Sequence, residues 1–300
     1  MRKIKKIDIH AHATAFAQYH PQNIQKFVSP EEVIRFYDEM NIEKGVILPL
    51  TSSEGLTTPI SSESCRYISD KYPDRFYWFC NVDPRALSNT PETDLSSLIK
   101  EYKKMGAKGV GEISAMLYAD DPKMENLFRS CAQNDMPVII HLAPDFSGGY
   151  GIVDDLGLPR ITKMLKKYPD LKIIGHSALF WSEIDINNND EIRNDYPKGK
   201  VTEGRLSKML RECPNLYCDL SAGSGANAML RDKDFALQFI EEFSDRIMFG
   251  IDLTAYPENI ENMLQFKLVS FLDESVEKGL LSEENYCKIM RENAIKILKL

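Results

Sequence analysis

Apolar and polar positions along this chain follow a repeating order. A short run rich in β-branched and aromatic residues is followed by a turn, and then by a longer stretch with apolar residues on one helical face. Eight such short runs occur: KIDIHAH (6–12), GVILPL (45–50), FYWFCNVD (76–83), KGVGEIS (108–114), PVIIHLA (137–143), LKIIGHSA (171–178), NLYCDLSA (215–222) and RIMFGIDL (246–253). Amphipathic segments lie between them. In SPEEVIRFYDEMN, Ser29 reads as the helix N-cap, with Pro30 and the acidic pair Glu31 and Glu32 in the first turn. Strands that alternate with helices predict a parallel sheet with helical crossovers. Eight units, their strand ends roughly thirty to forty-five residues apart, predict an α/β fold of one kind, a closed (β/α)8 TIM barrel. No linker or shift of composition breaks the chain, so a single domain over 1–300 is expected.

Two connections are longer than a crossover needs, 144–157 and 179–200, and both follow the C-terminal end of a strand, where barrel enzymes build their pockets. They are expected to be lids. The tail after Ser282 reads as a helix with Ile289, Ile295 and Leu298 free to pack.

Composition narrows the partners. Of 300 residues, 37 are basic and 45 acidic, a net charge of −8 that disfavours a general grip on nucleic acid or on anionic membranes. A small-molecule substrate is expected instead, with a homodimer as the assembly. Six cysteines without a CxxC pair read as buried thiols in a reducing cytoplasm. The basic start MRKIKK meets histidines where a signal peptide needs apolar residues, so a cytoplasmic location is expected.

The chemistry lies at strand ends. Alternation along the first strand places Asp8, His10 and His12 on one side and Ile7, Ile9 and Ala11 on the other, so the two imidazoles converge as ligands for a shared ion. Four of the five histidines occupy such positions: His10, His12, His141 and His176. One core histidine with satisfied hydrogen bonds is common; four at strand ends together point to a metal. His20 has no such setting and reads as a surface or lid residue. Two carboxylates complete the ring, Glu112 on the fourth run and Asp252 on the eighth, both beside small or apolar residues where an unpaired charge is costly. The competing readings are an ion pair with Lys108 for Glu112 and a turn or N-cap for Asp252. Asp8, deeper in the strand, is expected to orient an imidazole.

In this order, the HxH pair His10 and His12, Glu112, His141, His176 and Asp252 resemble the ligand ring of the amidohydrolase superfamily, in its amidohydrolase-related branch, over essentially the whole chain. The resemblance implies a distorted (β/α)8 barrel with one or two divalent ions, zinc first and manganese second. With two ions, Glu112 bridges and His176 is a ligand. With one, His10, His12, His141 and Asp252 hold it, and His176 is free as an acid or base, as in relatives similar to aminocarboxymuconate semialdehyde decarboxylase.

The expected reaction is hydrolysis of an ester, lactone or amide by a metal-activated water, with Asp252 as general base. Non-oxidative decarboxylation is the alternative. Tyr150, Trp181, Asn227 and Arg231 are candidates for substrate selection, the last for a carboxylate or phosphate.

Overall fold

The computed structural model describes residues 4–16, 27–52, 54, 59–147 and 150–300. Nine strands alternate with helices among these residues: β1 (Lys6–Ala11), β2 (Ile42–Ile47), β3 (Phe76–Trp78), β4 (Val110–Ile113), β5 (Val138–Ala143), β6 (Ile152–Val153), β7 (Ile173–His176), β8 (Leu216–Asp219) and β9 (Ile247–Met248). All pairings between them are parallel, in two paths, β1-β2-β3 and β4-β5-β7-β8-β9, with β6 added beside β5. Single bridges join the two paths. Cys80 beyond β3 pairs with Val110, and Ala11 pairs with Leu253 beyond β9. The eight-stranded parallel barrel expected from the sequence is therefore closed, with β6 as an extra strand in the long connection 144–157.

The strands are shorter than the apolar runs, because the runs continue through the bends that carry site residues. The eighth is reduced to two residues, and its extension is tied to β1 by the Ile9 amide on the Phe249 carbonyl (3.1 Å) and the Asp252 amide on the His10 carbonyl (2.7 Å). Ser29 caps the first helix, Pro30–Met40, with a full capping box: the Glu32 amide donates to Ser29 Oγ while the Glu32 carboxylate accepts from the Ser29 amide.

Ile7, Ile9, Val46, Leu48, Phe79, Ile139, Ile174 and Met248 meet in one buried cluster. They come from strands all round the sheet, so the cluster lies on the barrel axis. The last helix, Asn293–Leu298, closes it from below with Ala294, Ile297 and Leu298. The larger cluster fills the layer between strands and helices.

The tail corrects one expectation. A π-helical turn at Lys288–Glu292 adds a residue to the helical path. Ile289, Ile297 and Leu298 are buried, whereas Ile295 is exposed. The six cysteines are free, five of them buried. No helix among the described residues is long and apolar enough to cross a membrane.

Candidate metal centre

The strand ends bring all six expected residues to one mouth of the barrel. His10 and His12 close β1, Glu112 lies in β4, His141 in β5, His176 ends β7, and Asp252 follows β9; His10, His12, Glu112 and His176 are buried. His20 lies outside the described residues.

Alternation alone does not produce this arrangement. The pairing of β1 with β2 is irregular between Asp8 and Ala11, and the irregularity separates Asp8 from the histidines. Asp8 Oδ2 accepts from the Tyr37 hydroxyl (2.8 Å) of the outer helix, and its Oδ1 accepts from the amides of His10 and Ile251 (2.9 Å each). The expectation that Asp8 orients an imidazole is therefore corrected: it pins the backbone of the first strand to that of the last. Burial pushes its carboxyl up to about 7, against the hydrogen bonds from His10, Tyr37 and Ile251.

The orienting carboxylate is Asp219, at the end of β8, which the sequence analysis did not single out. His10 Nδ1 lies 2.7 Å and His176 Nδ1 3.1 Å from Asp219 Oδ2. Burial alone would raise the Asp219 carboxyl, but hydrogen bonds and charge from His10 and His176 hold it well below the usual range. An ionised carboxylate only accepts, so both Nδ1 atoms carry the proton. His12 Nδ1 is 2.9 Å from the Leu48 carbonyl oxygen, which fixes the same tautomer.

This tautomer determines what the site can hold. The Nε2 atoms of His10 and His12 lie 3.0 Å apart, each with its lone pair toward the other, an arrangement that requires a positive centre beside them. A proton would satisfy two nitrogens. The carboxylates complete a larger set: Glu112 Oε2 is 3.4 Å from His12 Nε2 and 3.7 Å from His10 Nε2, and Asp252 Oδ1 is 3.5 and 3.8 Å from the same atoms. His10, His12 and Glu112 bring ligand atoms close enough for one ion, with Asp252 Oδ1 beside the two imidazoles, and imidazole nitrogens with carboxylates are the donors a divalent metal ion takes. The residues fit the ion that the chain's pattern implies.

Glu112 also links to the second pair of histidines. His141 Nδ1 is 2.6 Å from Glu112 Oε1, and His176 Nε2 is 3.8 Å from the same oxygen. Burial opposes the charge on Glu112, but the neighbouring imidazoles, His141 first and then His10 and His12, hold its carboxyl well below its ordinary value. Lys108 is not its partner, since Lys108 Nζ donates to the Lys299 carbonyl. Asp252 sits at φ 60°, the left-handed region, an uncommon conformation for a non-glycine residue and one concentrated at functional sites. Gly250, two residues earlier, makes room: a Cβ there would lie 2.5 Å from Asp219 Oδ1 and 3.3 Å from His10 Cβ.

The rim differs from expectation at three of four positions. Trp181 is buried behind the site, its Nε1 donating to the Asp219 carbonyl (2.9 Å). Asn227 Nδ2 donates to the Pro197 carbonyl (3.1 Å). Arg231 is committed to Asp185 (2.6 Å) and to the carbonyls of Gly199 and Lys200, so it ties down the connection 179–200 and is not a free substrate anchor. Spacing alone could not show that these loops carry their own internal partners. Tyr150 is at the site, its ring 4.5 Å from that of His141. Burial, then the charges of Glu112 and Asp252, raises its hydroxyl; Tyr196, from the other connection, is raised by burial and by Asp252.

A closed parallel barrel with imidazoles and carboxylates converging at its C-terminal mouth defines a metal-dependent enzyme. The chain belongs to the amidohydrolase family Amidohydro_2, which it matches over residues 7–300. A comparison with curated proteins finds no match. The fold is similar to that of a dihydroxybenzoic acid decarboxylase from a Polaromonas species, holding manganese and the inhibitor 2-nitroresorcinol, at 19% identity and TM-score 0.59 over 99% of this chain and 97% of that one. It is similar to 5-carboxyvanillate decarboxylase from Sphingomonas paucimobilis at 15% identity and TM-score 0.62, over 99% of both chains. A protein described as a probable 2-pyrone-4,6-dicarboxylic acid hydrolase from Acinetobacter baumannii, with citric acid bound, matches at 14% identity and TM-score 0.58, over 99% of this chain and 100% of that one.

Further decarboxylases of 2,6-dihydroxybenzoate and 5-carboxyvanillate share the fold. Against this predominance of decarboxylases, the expectation of hydrolysis with Asp252 as general base is overturned.

Proposed function

We propose that the protein is a metal-dependent non-oxidative decarboxylase of a small hydroxylated aromatic carboxylic acid. The observation that carries the reading is an imidazole, His176, with Nδ1–H held by Asp219 and Nε2 at the ion site, 3.8 Å from Asp252 Oδ2. One divalent ion is proposed, with His10, His12, Glu112, His141 and Asp252 as the residues that would hold it. The mixed imidazole and carboxylate set takes zinc or manganese, and the Irving–Williams order makes zinc the tighter. When bound, the ion supplies positive charge to the oxygens of the substrate carboxylate and its neighbouring hydroxyl.

The chain's own residues supply the rest. Tyr150 and Tyr196 wall the mouth with flat apolar faces that suit a planar ring. His176, as imidazolium, presents Nε2–H to the ring carbon that bears the carboxylate. As carbon dioxide leaves, the pair of electrons of the broken C–C bond stays on that carbon and takes the His176 proton; no oxidant or reductant is needed. Asp219 then faces an imidazole that has given up its Nε2 proton and kept the one on Nδ1.

The test is release of carbon dioxide from a panel of hydroxybenzoic acids by protein stripped of metal and reloaded with zinc or manganese. The expected result is metal-dependent release at one ion per chain, with one deuterium on the product carbon in heavy water. His176→Gln should keep its metal and lose about 10²–10⁴-fold in rate. Loaded protein that releases nothing from any acid in the panel would overturn the reading.

A further inference from the structure

One buried carboxylate oxygen serves three donors at the metal centre. Asp219 Oδ2 faces His10 Nδ1 at 2.7 Å and His176 Nδ1 at 3.1 Å, and it accepts from Ser221 Oγ at 2.6 Å. The other oxygen, Oδ1, accepts from the Ser221 amide at 2.9 Å. Both Asp219 and Ser221 are completely buried. The backbone of Asp219 is held from behind by Trp181, and Gly250 leaves the space that its Oδ1 occupies.

We infer that Asp219 is a positioning residue shared by the metal-ligating and proton-donating halves of the site, and that Ser221 shares its load. His10 belongs to the ion-binding pair and His176 is the proposed acid, yet both rings take their orientation and tautomer from the same atom. A carboxylate oxygen offers about two lone-pair sites. Three donors exceed them, so a stronger bond from one ring weakens the hold on the other. Ser221 Oγ is the relief: it donates to Asp219 and lies 3.0 Å from His176 Nδ1, close enough to accept the proton that Asp219 holds less tightly. His10, 3.3 Å from Ser221 Oγ and 2.7 Å from Asp219, keeps the carboxylate.

The sharing of Asp219 by the two rings rests on the cation reading of the site; only the naming of His176 as the acid rests on the proposed decarboxylation. Zinc affinity and histidine tautomers are therefore its readouts. Zinc affinity is measured by competition with a chromophoric chelator, and the tautomers by ¹⁵N NMR of the imidazoles in metal-free protein. In the wild type, His10 and His176 should both be protonated at Nδ1. In Asp219→Asn the amide NH₂ meets those protons, so both rings should change tautomer or turn, and zinc affinity should fall by about 10–100-fold. Ser221→Ala keeps the carboxylate and the fold should a change at Asp219 prove too disruptive. It should perturb the His176 signal more than that of His10.

Unchanged tautomers with zinc affinity within about twofold of wild type in Asp219→Asn, or a His176 signal untouched by Ser221→Ala, would overturn the proposal. Wild-type protein that binds no zinc would sink the cation reading alone, because the tautomers are read without metal.

Discussion

The two ends of the barrel lumen are built by the same strands and have opposite characters. At the lower end Ile9, Ile139, Ile174 and Met248 meet Ile297 and Leu298 in an apolar plug. Two residues further along β5 and β7 stand His141 and His176; two beyond Tyr217 of β8 stands Asp219; and Asp252 follows Met248 by four, across Gly250. A two-residue step along a strand is about 7 Å. Within that distance the lumen changes from side chains whose burial stabilises by about 1.5–3 kcal/mol each to buried charges that are tolerable only because each has a partner. The lower end holds the barrel closed and leaves the upper end free to keep groups that would otherwise be costly. The two should therefore be separable by mutation.

The largest expected effect is at the upper end. Asp252→Asn removes one negative donor from the ion's ring, and carbon dioxide release should fall by about 10²–10⁴-fold. Denaturant unfolding of the metal-free variant should match the wild type, because the Asp252 carboxylate is partly exposed and its neighbouring imidazole nitrogens, at 3.5–3.8 Å, lie beyond hydrogen-bond distance. Turnover that survives the change would remove Asp252 from the centre. The converse test is Ile174→Ala, which empties part of the plug and should cost about 2–5 kcal/mol of stability. Zinc affinity should remain within about threefold of wild type, since independent sites add. A parallel loss of zinc affinity would mean that the plug and the centre are one unit and that the contrast between them is false.

The same contrast explains what the sequence disclosed. The alternation of strands and helices, and histidines at four strand ends, were legible because the period of two that builds a barrel also aims its upper residues at one point. Asp219 was not legible: one aspartate at the end of NLYCD carries the same signal as Asp83 after the third strand, which pairs with Arg85 on the rim. Asp8 was misread because Ile7 and Ile9 face the axis and put it on the outer side of β1, while the irregularity after it, before the histidines at the mouth, leaves no mark in the pattern of apolar residues. Arg231 and Trp181 had the right composition for a pocket but were already engaged, which depends on contacts between distant loops. The reaction itself was misread because one ligand ring serves several chemistries.

The smallest expected effect separates two isoleucines of the closing helix. In an unbroken α-helix each residue advances by about 100°, so Ile297, eight residues past Ile289, would lie about 80° round from it. The extra residue of the π turn at Lys288–Glu292 takes back about one such step, and Ile297 joins the axial plug, 6% exposed, while Ile295 turns outward at 37%. Ile297→Ala should then lower stability by about 2–4 kcal/mol, whereas Ile295→Ala, on the solvent side, should stay within about 0.5 kcal/mol of wild type. Urea titrations of the two variants measure the difference directly. Equal costs, or a larger one at Ile295, would mean that the floor of the lumen is closed by a different set of side chains and that the apolar half of the comparison has to be redrawn.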